Sequence, residues 1–173
     1  MSKRAVLRCE GSLEKGLNIT LEISDRNAPV FTEASGFLPP AIELLQTLEQ
    51  WQQHYRQSLS ITRIALENVT VKLGALAQLE ACRNTSKLLE RSLKIWLASP
   101  SFQPIEQRLR ENLRTTEPIE ILLRTRDSRL HRLPWHLWDF IERYPYAELV
   151  LSSPPERLQA LTHPHSKVRI LAI

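Results

Sequence analysis

Histidine and cysteine are the residue types of this chain best suited to chemistry, and His136 has the most suggestive neighbour. Asp139 follows it by three positions, close enough on a helix for the carboxylate to orient the imidazole through a hydrogen bond. No local motif sets a serine or cysteine nucleophile beside His136 or the nearby His131, so a nucleophile would have to come from elsewhere in the fold. We interpret His136 as a structural histidine and predict no catalytic residue. A hydrolase that uses His131 or His136 remains a rival hypothesis.

Cysteines and the remaining histidines do not suggest a metal or cofactor site. Cys9 and Cys82 are too few and too far apart in sequence for a zinc cluster or a disulfide framework. His163 and His165 offer two ligands, whereas a zinc site needs three or four. The four glycines form no phosphate-binding loop. We therefore predict no metal and no cofactor, and two ordinary thiols in a reducing cytoplasm.

The basic residues do not form the footprint that a nucleic acid would need. The run RTRDSRLHRL, from Arg124 to Leu133, could grip phosphate, but Asp127 interrupts it. The net charge of +4 is spread along the chain rather than concentrated in one segment. We predict a solvated edge and no nucleic-acid partner. No segment approaches the roughly 20 apolar residues of a membrane span, and the N-terminus lacks the apolar core of a secretory signal, so we expect no membrane association.

Aromatic residues are concentrated in RLPWHLWDFIERYP, where the pattern predicts a short helix from about Trp135 to Glu142. Its apolar residues cover most of the helix circumference, which is typical of a helix buried between layers. We interpret it as a wedge that pins one element against the core, and a ligand platform built on tryptophan is the alternative. The candidate structural or interaction residues are Pro134, Trp135, His136, Trp138, Asp139 and Phe140.

The elements that must position this segment are predicted from hydrophobic periodicity. Alternation predicts a β-hairpin of Ala5–Cys9 and Leu17–Ile23, and Pro29–Thr32 is a third short extended piece. A helix opens at Pro39-Pro40, residues 59–73 have no clear period, and helices follow over about Ala75–Ala98 and Ile105–Leu113 because Pro100 and Pro104 interrupt the pattern. The last predicted strands are Ile119–Arg124, Ala147–Leu151 and Val168–Ile173.

This order of elements predicts an α/β fold in two parts. Residues 1–115 form an N-terminal β-hairpin with helices, and residues 116–173 form the first strands of a second region. The final strand, VRILAI, is apolar on both faces apart from Arg169, which is typical of a strand inside a parallel sheet. If its neighbours come from another polypeptide, we expect the isolated chain to self-associate.

Five phrases spread over almost the whole chain carry a family resemblance. They are AVLRCEGSLEKGLNITLEI, FTEASGFLPP, WLASPSFQPIEQRLRENL, LPWHLWDFIERYP followed by AELVLS, and KVRILAI. Together they resemble the region that leads into the protease-like core of cyanobacterial CHAT-domain proteins, a caspase-related family often fused to TPR repeats. The resemblance implies a caspase-like α/β sandwich, here incomplete, and a family activity of cysteine proteolysis by a His–Cys dyad.

No residue of this chain matches either member of that dyad, because in the family both follow the strand that VRILAI resembles. The resemblance therefore implies a non-enzymatic chain, the front part of a CHAT-type protein. It would pack against the protease-like sheet and help to recognise a protein substrate or partner, and its own partner would be the missing C-terminal part or another protein. A stand-alone protein–protein interaction module is the alternative.

Overall fold

The structure is a computed structural model that describes residues 2–25, 29–64 and 72–152, without the side chains of residues 59–64 and 72–75. The strands are β1 (Lys3–Ser12), β2 (Gly16–Asp25), β3 (Val30–Leu38), β4 (Ile119–Thr125) and β5 (Ala147–Ser152). The α-helices are α1 (Ile42–Ile64), α2 (Lys72–Leu97), α3 (Gln103–Asn112) and α4 (Asp139–Arg143). The predicted strand Val168–Ile173, His163 and His165 lie outside the described residues.

The five strands form one mixed sheet in the order β3-β2-β1-β4-β5. The hairpin strands and β3 pair antiparallel, whereas β4 pairs in parallel with β1 on one side and with β5 on the other. The α/β class predicted from the sequence is confirmed. Because β1 is hydrogen-bonded to β4, the predicted regions 1–115 and 116–173 contribute strands to one sheet within the described part of the chain.

The two faces of this sheet differ sharply, as expected for strands with alternating side chains. One face, which we call the core face, is buried beneath the helices and the connection between β4 and β5. It carries Ala5, Leu7, Cys9, Leu17, Ile19, Leu21, Ile23, Ile119, Ile121 and Leu123. The opposite face, which we call the open face, carries the intervening residues, and most of these are charged or polar and exposed or half-buried.

Helices α1 and α2 form an antiparallel pair beside the core face. Near its base, the Trp96 indole Nε1 donates a hydrogen bond of 2.7 Å to the Pro39 carbonyl oxygen. Further out, His54 Nδ1 lies 2.8 Å from Thr85 Oγ1. Of the ambiguous stretch 59–73, residues 59–64 continue α1 and α2 begins at Lys72, while residues 65–71 are not described.

The third strand and helix α3 differ from the sequence prediction. The third strand is not the short piece Pro29–Thr32 but the nine residues Val30–Leu38, which pair along most of β2. Helix α3 begins at Gln103 rather than Ile105, with Pro104 in its first turn, where a helix needs no backbone N–H donor.

Candidate functional site: the aromatic wedge and the edge of β5

The predicted helix from Trp135 to Glu142 is not continuous. A 3-10 turn, Trp135–Leu137, is followed by the five-residue α4, and Trp138 between them has extended backbone angles (φ −69°, ψ 125°). This break turns the chain so that Trp135, Trp138 and Phe140 all enter the core, with exposures of 4%, 2% and 0%. A single straight helix would spread these side chains around its circumference. The prediction of one helix is therefore wrong, and the prediction that the aromatics are buried is confirmed.

The aromatic rings form a connected chain through the core. Ring centroids are 6.4 Å apart for Trp96 and Trp135, 6.5 Å for Trp135 and Trp138, and 5.3 Å for Trp138 and Phe140. Phe102, at the start of α3, lies 5.9 Å from Trp138. These are favourable tilted and edge-to-face distances. The aromatic wedge, which we define as Trp135, Trp138 and Phe140, thus joins α2 and α3 to the connection between β4 and β5.

The surroundings of the wedge leave no room for a ligand. Trp135 Nε1 donates a hydrogen bond of 2.7 Å to the Leu130 carbonyl oxygen, while the buried Trp138 Nε1 has no acceptor in the described structure. The crevice beside Trp138 is lined by apolar residues and has a volume of about 10 Å³, roughly the space of one water molecule. This geometry favours core packing over the tryptophan ligand platform.

The polar residues of the predicted site, His136 and Asp139, have different surroundings. His136 and Asp139 are both exposed, and Asp139 Oδ1 lies 3.4 Å from Lys94 Nζ in an ion pair. The same ammonium group lies 3.2 Å from Glu90 and from Glu142, and hydrogen bonds to these two carboxylates raise the pKa of Lys94. Asp139 therefore links α4 to α2 and is not the orienting partner that the sequence offered for His136.

The remaining predicted residues do not create a catalytic arrangement. Pro134 is half-buried and immediately precedes the 3-10 turn that carries Trp135. Cys9 is buried on the core face, and desolvation raises the pKa of its thiol to about 12, so it is protonated at neutral pH. His131 Nε2 is buried without a hydrogen-bond partner among the described residues.

An ion-pair cluster at the end of β4 was not predicted from the sequence. The Asp127 carboxylate accepts hydrogen bonds from the Arg129 side chain, from the Arg129 backbone N–H and, at 3.3 Å, from the Leu13 N–H. Arg129 also binds Glu14 in the β1–β2 turn, with Nη2 2.7 Å from Oε2. We call Glu14, Asp127 and Arg129 the clamp, because it holds the hairpin turn against the loop after β4.

The hydrogen bonds of the clamp shift the pKa values of its three residues. Hydrogen bonds from Arg129 hold the pKa of Glu14 at about 2 and lower the pKa of Asp127. The same contacts raise the pKa of Arg129, the larger contribution coming from Asp127. The run RTRDSRLHRL is thus not only a solvated edge, because two of its residues tie together segments 115 positions apart. Its D-x-R pattern alone does not reveal Glu14 as the distant partner.

Strand β5 is the last strand at its side of the sheet in the described chain. It pairs in parallel with β4, from Ala147 opposite Ile119 to Ser152 opposite Arg124. No described strand pairs with its other edge. Val150 and Leu151 lie on opposite faces and are 40% and 39% exposed. A parallel strand with apolar side chains on both faces is typical of a sheet interior. β5 therefore has the residue pattern of an interior strand, although it is an edge strand among the described residues.

No group of three or more histidine, cysteine, aspartate or glutamate side chains that could hold a metal ion lies within the described ranges. None of the described helices is long and apolar enough to cross a membrane. A scan against protein-family models and a search of curated proteins each found no match.

Proposed function

We propose that this chain is the non-catalytic N-terminal part of a CHAT-type protein of the caspase-like cysteine protease family. In this proposal it packs against a protease-like sheet that the C-terminal part, or another protein, supplies. Its surface then helps to recognise a protein substrate or partner. The proposal includes a reducing, cytoplasmic setting, in line with the free thiols of Cys9 and Cys82.

The observation that carries the proposal is the parallel edge of β5. Unpaired edges are normally short, twisted or protected by charge, because their free backbone groups recruit other strands. Glu148 is the one charged residue of β5, and its exposed apolar residues are Val150 and Leu151. The phrase AELVLS that forms this strand is also one of those that resemble the CHAT family. A further parallel strand would pair with the outer edge of β5, to which no described strand is hydrogen-bonded, and would cover both apolar side chains.

A specific observation favours the alternative, a stand-alone interaction module. A groove of about 820 Å³ lies between the start of α1 and the end of α2, and Ile42 and Ile95 line it with exposures of 52% and 63%. Apolar grooves between helices are a common way to bind an amphipathic peptide helix. In that function the groove, rather than the β5 edge, would bind the partner.

Sedimentation velocity over a range of protein concentrations tests the role of the edge. We expect the purified chain to self-associate, and we expect Val150→Lys to reduce the association, because a charge on an edge strand opposes strand addition. The control is Ser35→Lys, which places the same charge at an exposed position of β3, the opposite edge of the sheet. A monodisperse wild-type monomer that melts cooperatively would contradict the proposal.

The DNA that follows the codon of Ile173 discriminates the two functions directly. Continuation, in any frame, into a Gly-His segment and a later cysteine segment would support the CHAT proposal. The interaction module would be supported by two results together: unrelated downstream sequence, and partner binding that is lost in Ile95→Asp. Ile95 lies in the groove and is far from β5 along the chain.

A further inference from the structure

The pairing of β5 with β4 fixes which backbone groups of β5 point to its outer edge. The Ile119 N–H donates a hydrogen bond of 3.0 Å to the Tyr146 carbonyl oxygen. In a parallel pair, successive residues direct their backbone groups to opposite sides of the strand. Every second residue from Tyr146 onward therefore bonds toward β4. Leu149 and Leu151 lie between them and direct their N–H and C=O groups outward, where no described strand pairs with β5.

A second copy of β5, running antiparallel, matches these outward groups in one register. Two residues of a hydrogen-bonded antiparallel pair exchange both of their N–H···O=C bonds. If Val150 lies opposite Val150 of the second copy, Leu149 lies opposite Leu151 in both directions, and all outward groups of these two residues are paired. In the next register with matching faces, centred on Leu149, Leu151 would face Ala147. The Ala147 N–H already donates to the Tyr144 carbonyl oxygen. The register centred on Val150 is therefore the better match.

The same register also matches the apolar side chains of the two copies. On the open face, Val150 meets Val150 of the second copy in a non-hydrogen-bonded pair, the kind in which side chains lie closest. On the core face, Leu149 meets Leu151 of the second copy. The contact covers the two exposed apolar residues of the strand, Val150 at 40% and Leu151 at 39%. Directly opposed apolar pairs of this kind stabilise antiparallel sheets.

The charge of Glu148 favours this register as well. Glu148 lies on the open face and would be opposite Ser152 of the second copy. The two Glu148 side chains are then about 14 Å apart along the strands, which exceeds the Debye length of about 8 Å at physiological ionic strength. In the register centred on Leu149 the separation along the strands falls to about 7 Å, which is shorter than that length. The register centred on Val150 therefore keeps the like charges apart.

The opposite edge of the sheet, on β3, is less suited to receive a strand. The Phe37 N–H donates a hydrogen bond of 3.0 Å to the Ser101 carbonyl oxygen, just before α3. Thr32 Oγ1 lies 3.2 Å from Asn112 Oδ1 at the end of α3. The segment from Ser101 to Asn112 therefore already engages β3. Pairing of β5 with β3 of another copy would also leave an edge open at each end and allow open-ended growth, whereas pairing of β5 with β5 closes as a two-fold dimer.

We propose that two copies of this chain pair through β5 in antiparallel direction, with Val150 opposite Val150 at a two-fold axis. The two five-stranded sheets then join into one continuous sheet. This inference rests on the proposed function, since it names the partner that covers the β5 edge when no protease-like sheet is bound. The protease-like part has to displace the second copy, so dimerisation competes with that assembly.

A charge-swap experiment tests the register. We expect Val150→Lys and Val150→Glu each to dimerise less than the wild type, because the register places like charges directly opposite each other. An equimolar mixture should dimerise about tenfold more tightly than either variant alone, because the mixed dimer pairs opposite charges. Sedimentation velocity measures the dissociation constants. The matched control is the pair Ser35→Lys and Ser35→Glu at an exposed position of β3, where mixing should change nothing.

Disulfide formation gives a second, independent measurement. In a Cys82→Ser background, Val150→Cys should form covalent dimers with oxidised glutathione, because a non-hydrogen-bonded antiparallel pair brings the two Cβ atoms close enough for a disulfide. Glu148→Cys, on the same face of the same strand, is the control. It should form few covalent dimers, because the two copies of position 148 lie about 14 Å apart. Cys9 stays in both variants, since it is buried.

Each outcome decides the proposal. A mixture that dimerises no more tightly than the single variants, or equal cross-linking at positions 148 and 150, would overturn the register. If the wild type associates with hydrogen-exchange protection at β5 but fails both tests, the antiparallel dimer is wrong and the CHAT proposal stands. If both tests succeed but the downstream DNA is unrelated, the dimer stands and the CHAT proposal is contradicted. A wild type that stays monomeric at all concentrations would overturn both.

Discussion

At the level of single residues, the Asp127 carboxylate is a point where hydrogen bonds from several groups converge. It accepts hydrogen bonds from two backbone N–H groups and from Arg129, and its side chain is only 6% exposed. We expect Asp127→Asn to lower the free energy of unfolding by about 1–3 kcal/mol, because an amide offers Arg129 a donor in place of an acceptor. Urea unfolding measures the loss. Glu14→Gln, at the exposed end of the clamp, should cost less.

The same residue gives a pH dependence with a defined sign. Because the folded-state pKa of Asp127 is lowered, its carboxylate stabilises the fold above the unfolded pKa of about 3.9 and ceases to do so as the pH falls through the folded value. We expect the stability gap between wild type and Asp127→Asn to be constant near neutrality and to shrink in acid. A gap that widens on acidification would contradict this role for the clamp.

Trp135 and Trp138 form a matched pair that differs in one hydrogen bond. Both are buried, but only the Trp135 indole has an acceptor, the Leu130 carbonyl oxygen. We expect Trp135→Phe to destabilise the chain by about 1 kcal/mol more than Trp138→Phe, since the first change leaves that carbonyl with fewer donors. Chemical denaturation of both variants checks the order. Equal losses, or a larger loss for Trp138→Phe, would contradict the assignment.

At the level of elements, period-two alternation predicted four strands correctly, and β3 was predicted too short. Its core-side positions before Leu38 carry Thr32, Ala34 and Gly36, which are small or polar, so most of the strand lacks the large apolar residues that alternation relies on. Small side chains are needed there because α3 packs closely against β3. The interruption of the predicted helix at Trp138 was not foreseen either. Local periodicity does not reveal that three aromatic side chains of a short segment must enter the same core.

Gly36 tests the explanation for β3. A Cβ at this position would lie 2.7 Å from Ile105 Cγ1 and 3.1 Å from the Ser101 carbonyl oxygen. We expect Gly36→Ala to destabilise the chain by about 1–3 kcal/mol through overpacking. Ser35→Ala, at the exposed neighbouring position, should change stability by less than about 0.5 kcal/mol. Thermal unfolding compares the two, and a neutral Gly36→Ala would contradict close packing of α3 on β3.

At the level of the whole molecule, the parallel pairing of β1 with β4 organises the fold. The end of β1 at Ser12 and the start of β4 at Ile119 are separated by 106 residues. No local sequence pattern encodes this pairing. The sequence predicted the buried aromatics because burial depends on residue type. The clamp could not be predicted from the sequence, because it depends on which strands become neighbours. The residue types of the candidate site could therefore be predicted from the sequence, whereas the contacts between these residues could not.

The most direct test of the central claim is hydrogen exchange of the β5 backbone at low and high protein concentration. The account predicts that amides of residues 147–152 become more protected as concentration rises, while those of β3, the opposite edge, do not change. Protection confined to β5 would show that this edge receives another strand. Exchange rates at β5 that are independent of concentration, or protection that rises instead at β3, would contradict the claim.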